Sequence, residues 1–291
     1  MSVGARHVLA EGLGYLEAAR WHEGRLWFSD IKNRTINTLT PDGVHEAVAT
    51  LQPRPSGLGF EPDGSLLVVS MEDEKLLRWR DGRFSEVEEI GKYCLHPNDM
   101  AVDAEGRAYI SQFGYDLFGG GEPVGTGLVV RHPDGRIETC GEDLVFPNGV
   151  VLVDDGRTLV TAESFAAPHT RLSAFDVAPD GSLTRRRVFA EFGPTETDVV
   201  DGICVDVEGG VWVSFPFLGQ FRRVLEGGRT TDIIEIPADG GNYCVDSVLG
   251  GPEGRTLFML IADTNVERMG NGWDSSARIE AVEVEVPGPV S

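Results

Sequence analysis

The sequence has no apolar run able to cross a membrane: the longest, LFMLIA at 257–262, falls far short of the roughly 18 residues that a spanning helix needs. Its first residues, MSVGARHVLAEG, lack the apolar core of a secretory signal, so a cytoplasmic protein is expected. Cysteine is sparse and scattered. Cys94, Cys140, Cys204 and Cys244 make no C-x-x-C pair, which argues against a zinc ribbon or a disulfide framework. Positive charge is scarce, with 25 Lys and Arg against 47 Asp and Glu and a formal net charge of −22. A phosphate backbone or an anionic bilayer would be repelled, so neither nucleic acid nor membrane is expected as a partner. No stretch of about 12 residues shows the apolar spacing of three and four that marks an amphipathic helix, which disfavours a helix-rich α/β barrel. A G-x-S-x-G elbow is also missing, and with it the usual mark of an α/β serine hydrolase.

What the chain does have is a repeat. An acidic or glycine residue, then Gly, then a strand-like run recurs as EGRLWFSD, DGSLLVVS, EGRAYISQ, DGRTLVTA, GGVWVSF and EGRTLFML. The turn glycines are Gly24, Gly64, Gly106, Gly156, Gly209 and Gly254, at spacings of 40, 42, 50, 53 and 45 residues. That is the length of a four-stranded unit with tight turns. Second alternating runs, such as KLLRWRDG and GLVVRHPDG, end in further Asp-Gly turns and read as hairpins. Six such units make an all-β, six-bladed propeller spanning residues 1–291 as a single domain. ARIEAVEVEV (277–286) lacks a partner downstream and ARHVLAEG lacks one upstream, so their pairing is expected to close the ring and remove two edges. QPRPSG and the glycine-rich stretch 113–127 then fall as loops.

Counting back eight residues from the later five turn glycines gives Ser56, Asn98, Asn148, Asp201 and Asp246; seven back from Gly24 gives Glu17. Each begins the short run that feeds its turn, as in HPNDMAV and FPNGVVL. In a propeller these positions ring one mouth of the central channel. Six polar side chains converging there are costly to bury unpaired, and a hard cation would satisfy them. Carboxylates, amides and a hydroxyl, with no imidazole or thiolate, favour Ca²⁺, Mg²⁺ or Mn²⁺ over a structural Zn²⁺. Taken singly, any of them would also serve as a local cap of a strand end.

The chain resembles the SMP-30/gluconolactonase/LRE-like (regucalcin-like) family over nearly its full length, through YLEAARWHEGRLWFSDI, HPNDMAVDAEGRAY, FPNGVVLVDDGRTLVTAES, VDGICVDVEGGVWVS and LGGPEGRTLF. The resemblance implies one catalytic divalent cation in the channel, with Glu17, Asn148 and Asp201 at the family's metal-ligand positions. Asn98 matches the Asn that contacts substrate or completes the metal shell. It implies sugar-lactone hydrolysis, another lactonase activity or, in a related branch, organophosphate hydrolysis. Three departures stand out: His96 where animal sugar lactonases carry an Arg, Val200 where relatives often have Pro, and Asp246 where a small residue is more usual.

The expected chemistry is hydrolysis of a small lactone or ester. The cation (Ca, Mg, Mn or Zn) would polarise the carbonyl, Asp201 would handle the proton of the attacking water, and Asn98 would position the substrate. His96 would orient a carbonyl, shuttle a proton or simply pack; Asp246 would bind the metal, raise the proton affinity of Asp201 or face a neighbouring blade. Phe113, Tyr115 and Phe118, with the FPF at 215–217, are candidate readers of substrate shape. The rival readings are a phosphotriesterase or other esterase on the same metal, and a non-catalytic propeller with a structural metal. The chain is expected to be a monomer or a homodimer.

Overall fold

The computed structural model describes residues 4–117, 119–237 and 241–289. Its 24 strands form six antiparallel four-stranded sheets. The innermost strands are Leu16–His22, Pro55–Phe60, Pro97–Val102, Pro147–Val153, Ile203–Val205 and Asn242–Gly250, each packed on the next around the channel to make a six-bladed propeller. Among the described residues the one helix is Val266–Gly270, in the last blade's outer connection, and the sequence pattern gave no sign of it.

The acidic-glycine repeat works as expected. All six turn glycines have φ between 68° and 81°, a left-handed backbone that a Cβ makes costly. In the third repeat a second acid, three residues before the glycine, holds the turn. Asp103 Oδ1 accepts the Glu105 and Arg107 N–H groups at 3.0 and 2.8 Å, and Oδ2 accepts Arg107 Nε at 2.5 Å, so one side chain ties the turn. The second strands, Leu66–Ser70, Ala108–Gln112, Thr158–Glu163 and Val211–Phe215, are buried throughout, while outer strands such as Arg83–Glu89 are largely exposed. Apolar side chains from adjacent blades interleave, as Tyr109 and Val130 do with Leu159 and Phe175, so each blade is covered by its neighbours.

Closure also runs as expected. His7–Leu13 pairs with Ser276–Glu283, with His7 opposite Ala281 and Leu13 opposite Ala277, so the last blade takes its outer strand from the start of the chain. QPRPSG differs from its expected loop: Pro55 opens the innermost strand of the second blade. A proline at the first residue of a strand needs no ladder hydrogen bond, and Pro97 and Pro147 hold the same place in the next two blades. Deleting residues 1–13 is expected to abolish the cooperative thermal transition, a loss of at least about 5 kcal/mol, the low end for a folded domain. Circular dichroism melting checks it; an unchanged transition would show that closure is dispensable.

Candidate active site

The innermost strands are irregular where they enter the channel. Register breaks fall between Glu17 and Arg20, Pro55 and Leu58, Pro97 and Met100, Pro147 and Val150, and Cys244 and Asp246. A bulge inserts a residue on one strand and re-aims its side chain, here at the same level in five blades. The backbones crowd at this level. A Cβ on Gly149 would lie 2.7 Å from Ile203 N and 2.8 Å from Asp201 O, and one on Gly202 would strike the Asp246 carboxylate. The glycine that follows Asn148 and Asp201 is therefore set by close approach of the next blade.

Glu17, Asn98, Asn148 and Asp201 are brought together at the floor of one cavity of about 240 Å³. A chain of hydrogen bonds orders the floor. Ser56 Oγ donates to Asn98 Oδ1 at 3.1 Å, Asn98 Nδ2 to Asn148 Oδ1 at 2.8 Å, Asn148 Nδ2 to Ser164 Oγ at 3.2 Å, and Ser164 Oγ to the Val200 carbonyl at 2.6 Å. The amide of Asn148 is thus fixed at both ends, and its carbonyl oxygen retains a second lone pair.

The carboxylates are not satisfied in this way. Asp201 Oδ1 is buried without a hydrogen-bond partner. Burial, then the charge of Asp246, pushes the Asp201 carboxyl well above its ordinary range, with Asn148 pulling the other way. Glu17 is raised in the same sense by burial, then by Asp201, Asp246 and Asp99. An orphaned carboxylate oxygen beside a second carboxylate and an amide oxygen is a donor set that a hard divalent cation fits. Among the described residues no three His, Cys, Asp or Glu side chains are arranged to hold a metal, so the remaining donors here are amide oxygens.

Two of the anticipated residues sit elsewhere. Asp246 does not line the cavity: Oδ2 accepts Ala19 N–H from the first blade and Oδ1 accepts Ser247 N–H, both at 2.7 Å. It lies beneath the floor with Asp99 and Arg20. Burial and then Asp99 push its carboxyl up to about 7, against the pull of Arg20. His96 has φ of 55° and turns its ring edge to Phe113 at 5.9 Å, outside the cavity lining. Phe113 and Phe217 do line it, whereas Tyr115 props Phe146 edge-on at 6.2 Å and Phe215 is core; Phe118 lies outside the described residues.

Sequence reasoning did not single out Tyr15, Phe146, Val199, Ser164, Phe165 or Tyr243, all of which line the cavity. A signal was present for three of them. Tyr15, Phe146 and Val199 each stand two residues before Glu17, Asn148 and Asp201, just ahead of the innermost strand of their blades. The helix Val266–Gly270 adds Val266 and Met269 from above.

A six-bladed propeller with a carboxylate-amide floor in its channel mouth is the class of protein these features define. The chain belongs to the SMP-30/gluconolactonase/LRE-like family, whose profile matches residues 15–263. It is 25% identical over 288 residues to a gluconolactonase of Zymomonas mobilis, covering 86% of this chain and 78% of that one. It is 22% identical over 261 residues to a regucalcin of Xenopus laevis, covering 88% and 85%. Its fold matches a solved structure described as a calcium-binding protein, regucalcin, from Agrobacterium tumefaciens, with TM-score 0.79, 18% identity and coverage of 99% and 96%.

A buried carboxyl raised above its ordinary range keeps a proton that the unfolded chain has released, so the metal-free protein loses stability as pH rises above that range. Asp201→Asn removes one of the two charges. At pH 8 its metal-free thermal midpoint is expected to exceed that of the parent by several degrees, at about 2–4 °C per kcal/mol, with the gap closing towards pH 5. A midpoint below the parent at pH 8, by calorimetry of chelated protein, would show that the Asp201 charge is compensated.

Proposed function

We propose that this protein is a divalent-metal-dependent hydrolase that opens a small lactone. The observation that carries the reading is the orphaned Oδ1 of Asp201, a residue that shares with Glu17 and Asn148 the floor of a cavity that stays open above them. A metal with a purely structural role needs no open position, so the free space over the floor favours catalysis over a binding propeller. The Zymomonas relative supports the lactonase class, and the Agrobacterium structure, described as calcium-binding, supports the cation.

Glu17, Asn148 and Asp201 would hold the ion, with Ca²⁺, Mg²⁺ or Mn²⁺ suited to oxygen donors. Once bound, the ion supplies Lewis acidity toward the lactone carbonyl and lowers the pKa of water. Asp201, whose Oδ1 has no hydrogen-bond partner, would take the proton of the attacking water. Asn98 Nδ2 has one hydrogen on Asn148 and a second available to hold the carbonyl or ring oxygen. Water adds to the carbonyl carbon, the ring C–O bond breaks, the alkoxide takes the proton, and a hydroxy acid leaves. Ser164 positions Asn148 by accepting its Nδ2 hydrogen. The chain acts as one propeller domain. Among its described residues no helix is long and apolar enough to cross a membrane, in keeping with a cytoplasmic enzyme.

Chelation is expected to abolish acid release from γ- and δ-lactones, and one of Ca²⁺, Mg²⁺, Mn²⁺ or Zn²⁺ to restore it. In restored protein Asp201→Asn should lower kcat by about 10²–10⁴, the range for loss of a general base. Turnover that survives chelation would overturn the reading. Ser164→Ala should weaken metal affinity by about 10–100-fold, the usual effect of releasing a ligand's support. Titration calorimetry with the metal alone reads it, and unchanged affinity would remove Asn148 from the ligand set.

A further inference from the structure

We infer that the cavity selects an apolar, ring-bearing substrate, an aryl- or alkyl-substituted lactone, over a polyhydroxylated sugar lactone. The inference rests on the lactonase reading and concerns what the walls recognise. Above the floor the lining is aromatic and aliphatic. Phe113, Phe146 and Phe165 form one continuous wall, with ring centroids 4.4 Å apart between the first two and 5.4 Å between the last two. Phe217 packs on Tyr243 at 5.3 Å on the other side, and Met269 comes from the short helix overhead.

Carboxylate, amide and serine side chains are confined to the base. None of the described lining residues is Arg, Lys, His, Gln or Thr. The Asn98, Asn148 and Ser164 side chains are already joined in the hydrogen-bond chain, which leaves the phenols of Tyr15 and Tyr243 as the polar atoms of the walls. A sugar lactone carries a hydroxyl on nearly every ring carbon. Each one buried against phenylalanine without a partner costs about 1–3 kcal/mol. An aryl or alkyl lactone has one polar end, the ester, which matches a polar floor under apolar walls. The cavity is smaller than the roughly 300–1,000 Å³ of drug-sized sites, which limits the substrate to one ring or a fused pair.

Phe113 and Phe146 are buried, but Phe217 is 41% exposed where it packs at a tilt on Tyr243, so one large apolar ring is kept at the mouth in contact with water. That ring carries the apolar lining of the walls out to the rim.

The test separates recognition from turnover. Lactams are isosteres of lactones that resist hydrolysis, so titration calorimetry on the metal-loaded protein with dihydroquinolinone and with gluconolactam reads the walls alone. Dihydroquinolinone should bind at least about tenfold more tightly, an advantage that aromatic contacts readily supply. In parallel, kcat/KM for dihydrocoumarin and δ-decalactone, each divided by its own rate in buffer, should exceed that for glucono-δ-lactone. Phe217→Ala, at an exposed position whose loss leaves the fold intact, should raise KM for dihydrocoumarin about tenfold with kcat unchanged. Gluconolactam binding as tightly as dihydroquinolinone, or no binding of dihydroquinolinone, overturns the inference whatever the enzyme hydrolyses. Selective binding of dihydroquinolinone with no lactone turned over leaves the apolar site standing and removes the lactonase reading.

Discussion

Two buried carboxyls with no cation paired to either among the described residues are the feature to which the rest of this propeller is fitted. The molecule neutralises buried carboxylates elsewhere. Glu163 is fully buried, yet Arg171, Ser173, the Val145 N–H and Arg186 outweigh that burial and hold its carboxyl below the ordinary range. Asp206 is tied by Arg223 Nε at 2.6 Å and by two backbone N–H groups. Glu17 and Asp201 shift the opposite way: burial raises both, and the charged groups beside them are carboxylates, not guanidiniums. Groups pushed apart from their ordinary behaviour by burial and like charge are characteristic of functional sites.

Much of the fold was legible because its rule is local and repeated. One acidic residue and one left-handed glycine make each turn, and six copies at similar spacing leave little choice but a ring. The floor was legible for the same reason: an offset of seven or eight residues from that glycine selects the same level in every blade. Glu17, Asn98, Asn148 and Asp201 meet there, and Ser56 supports Asn98 from the same ring.

The offset fixes the level of a side chain but not the way it turns. Asp246 shares the level and still points below the floor, because its Oδ2 accepts the Ala19 N–H of the neighbouring blade. His96 stands two residues before Asn98, as Phe146 does before Asn148, and both have a left-handed backbone; only Phe146 reaches the cavity. The walls were harder to read for another reason. They are assembled from different parts of the repeat, including the corner at Ser164 and Phe165 and a helix of five residues whose packing is set by tertiary contacts. A five-residue helix has too few turns for apolar periodicity to show, so the sequence carries no pattern to detect.

The same channel is also closed from beneath. Arg20 Nε donates to the Leu58 carbonyl at 2.9 Å, Nη1 to Ala19 O at 2.8 Å, and Nη2 to Asp99 Oδ1 and Met100 O at 2.5 and 2.6 Å. One guanidinium thereby links the first three blades across the axis. Its rigid fork suits the task, since several acceptors on separate strands must be met at once. Asp246 and Asp99 share this cation, and neither Glu17 nor Asp201 is bonded to it. The positive charge in the channel is therefore spent beneath the floor, on holding strands together. The floor itself has no cation among the described residues to pair with its carboxyls, and the cavity above faces them with apolar walls. This separation, with a clamp below and an uncompensated pair above, is what allows one crowded axis to be both the structural centre of the propeller and a place for chemistry.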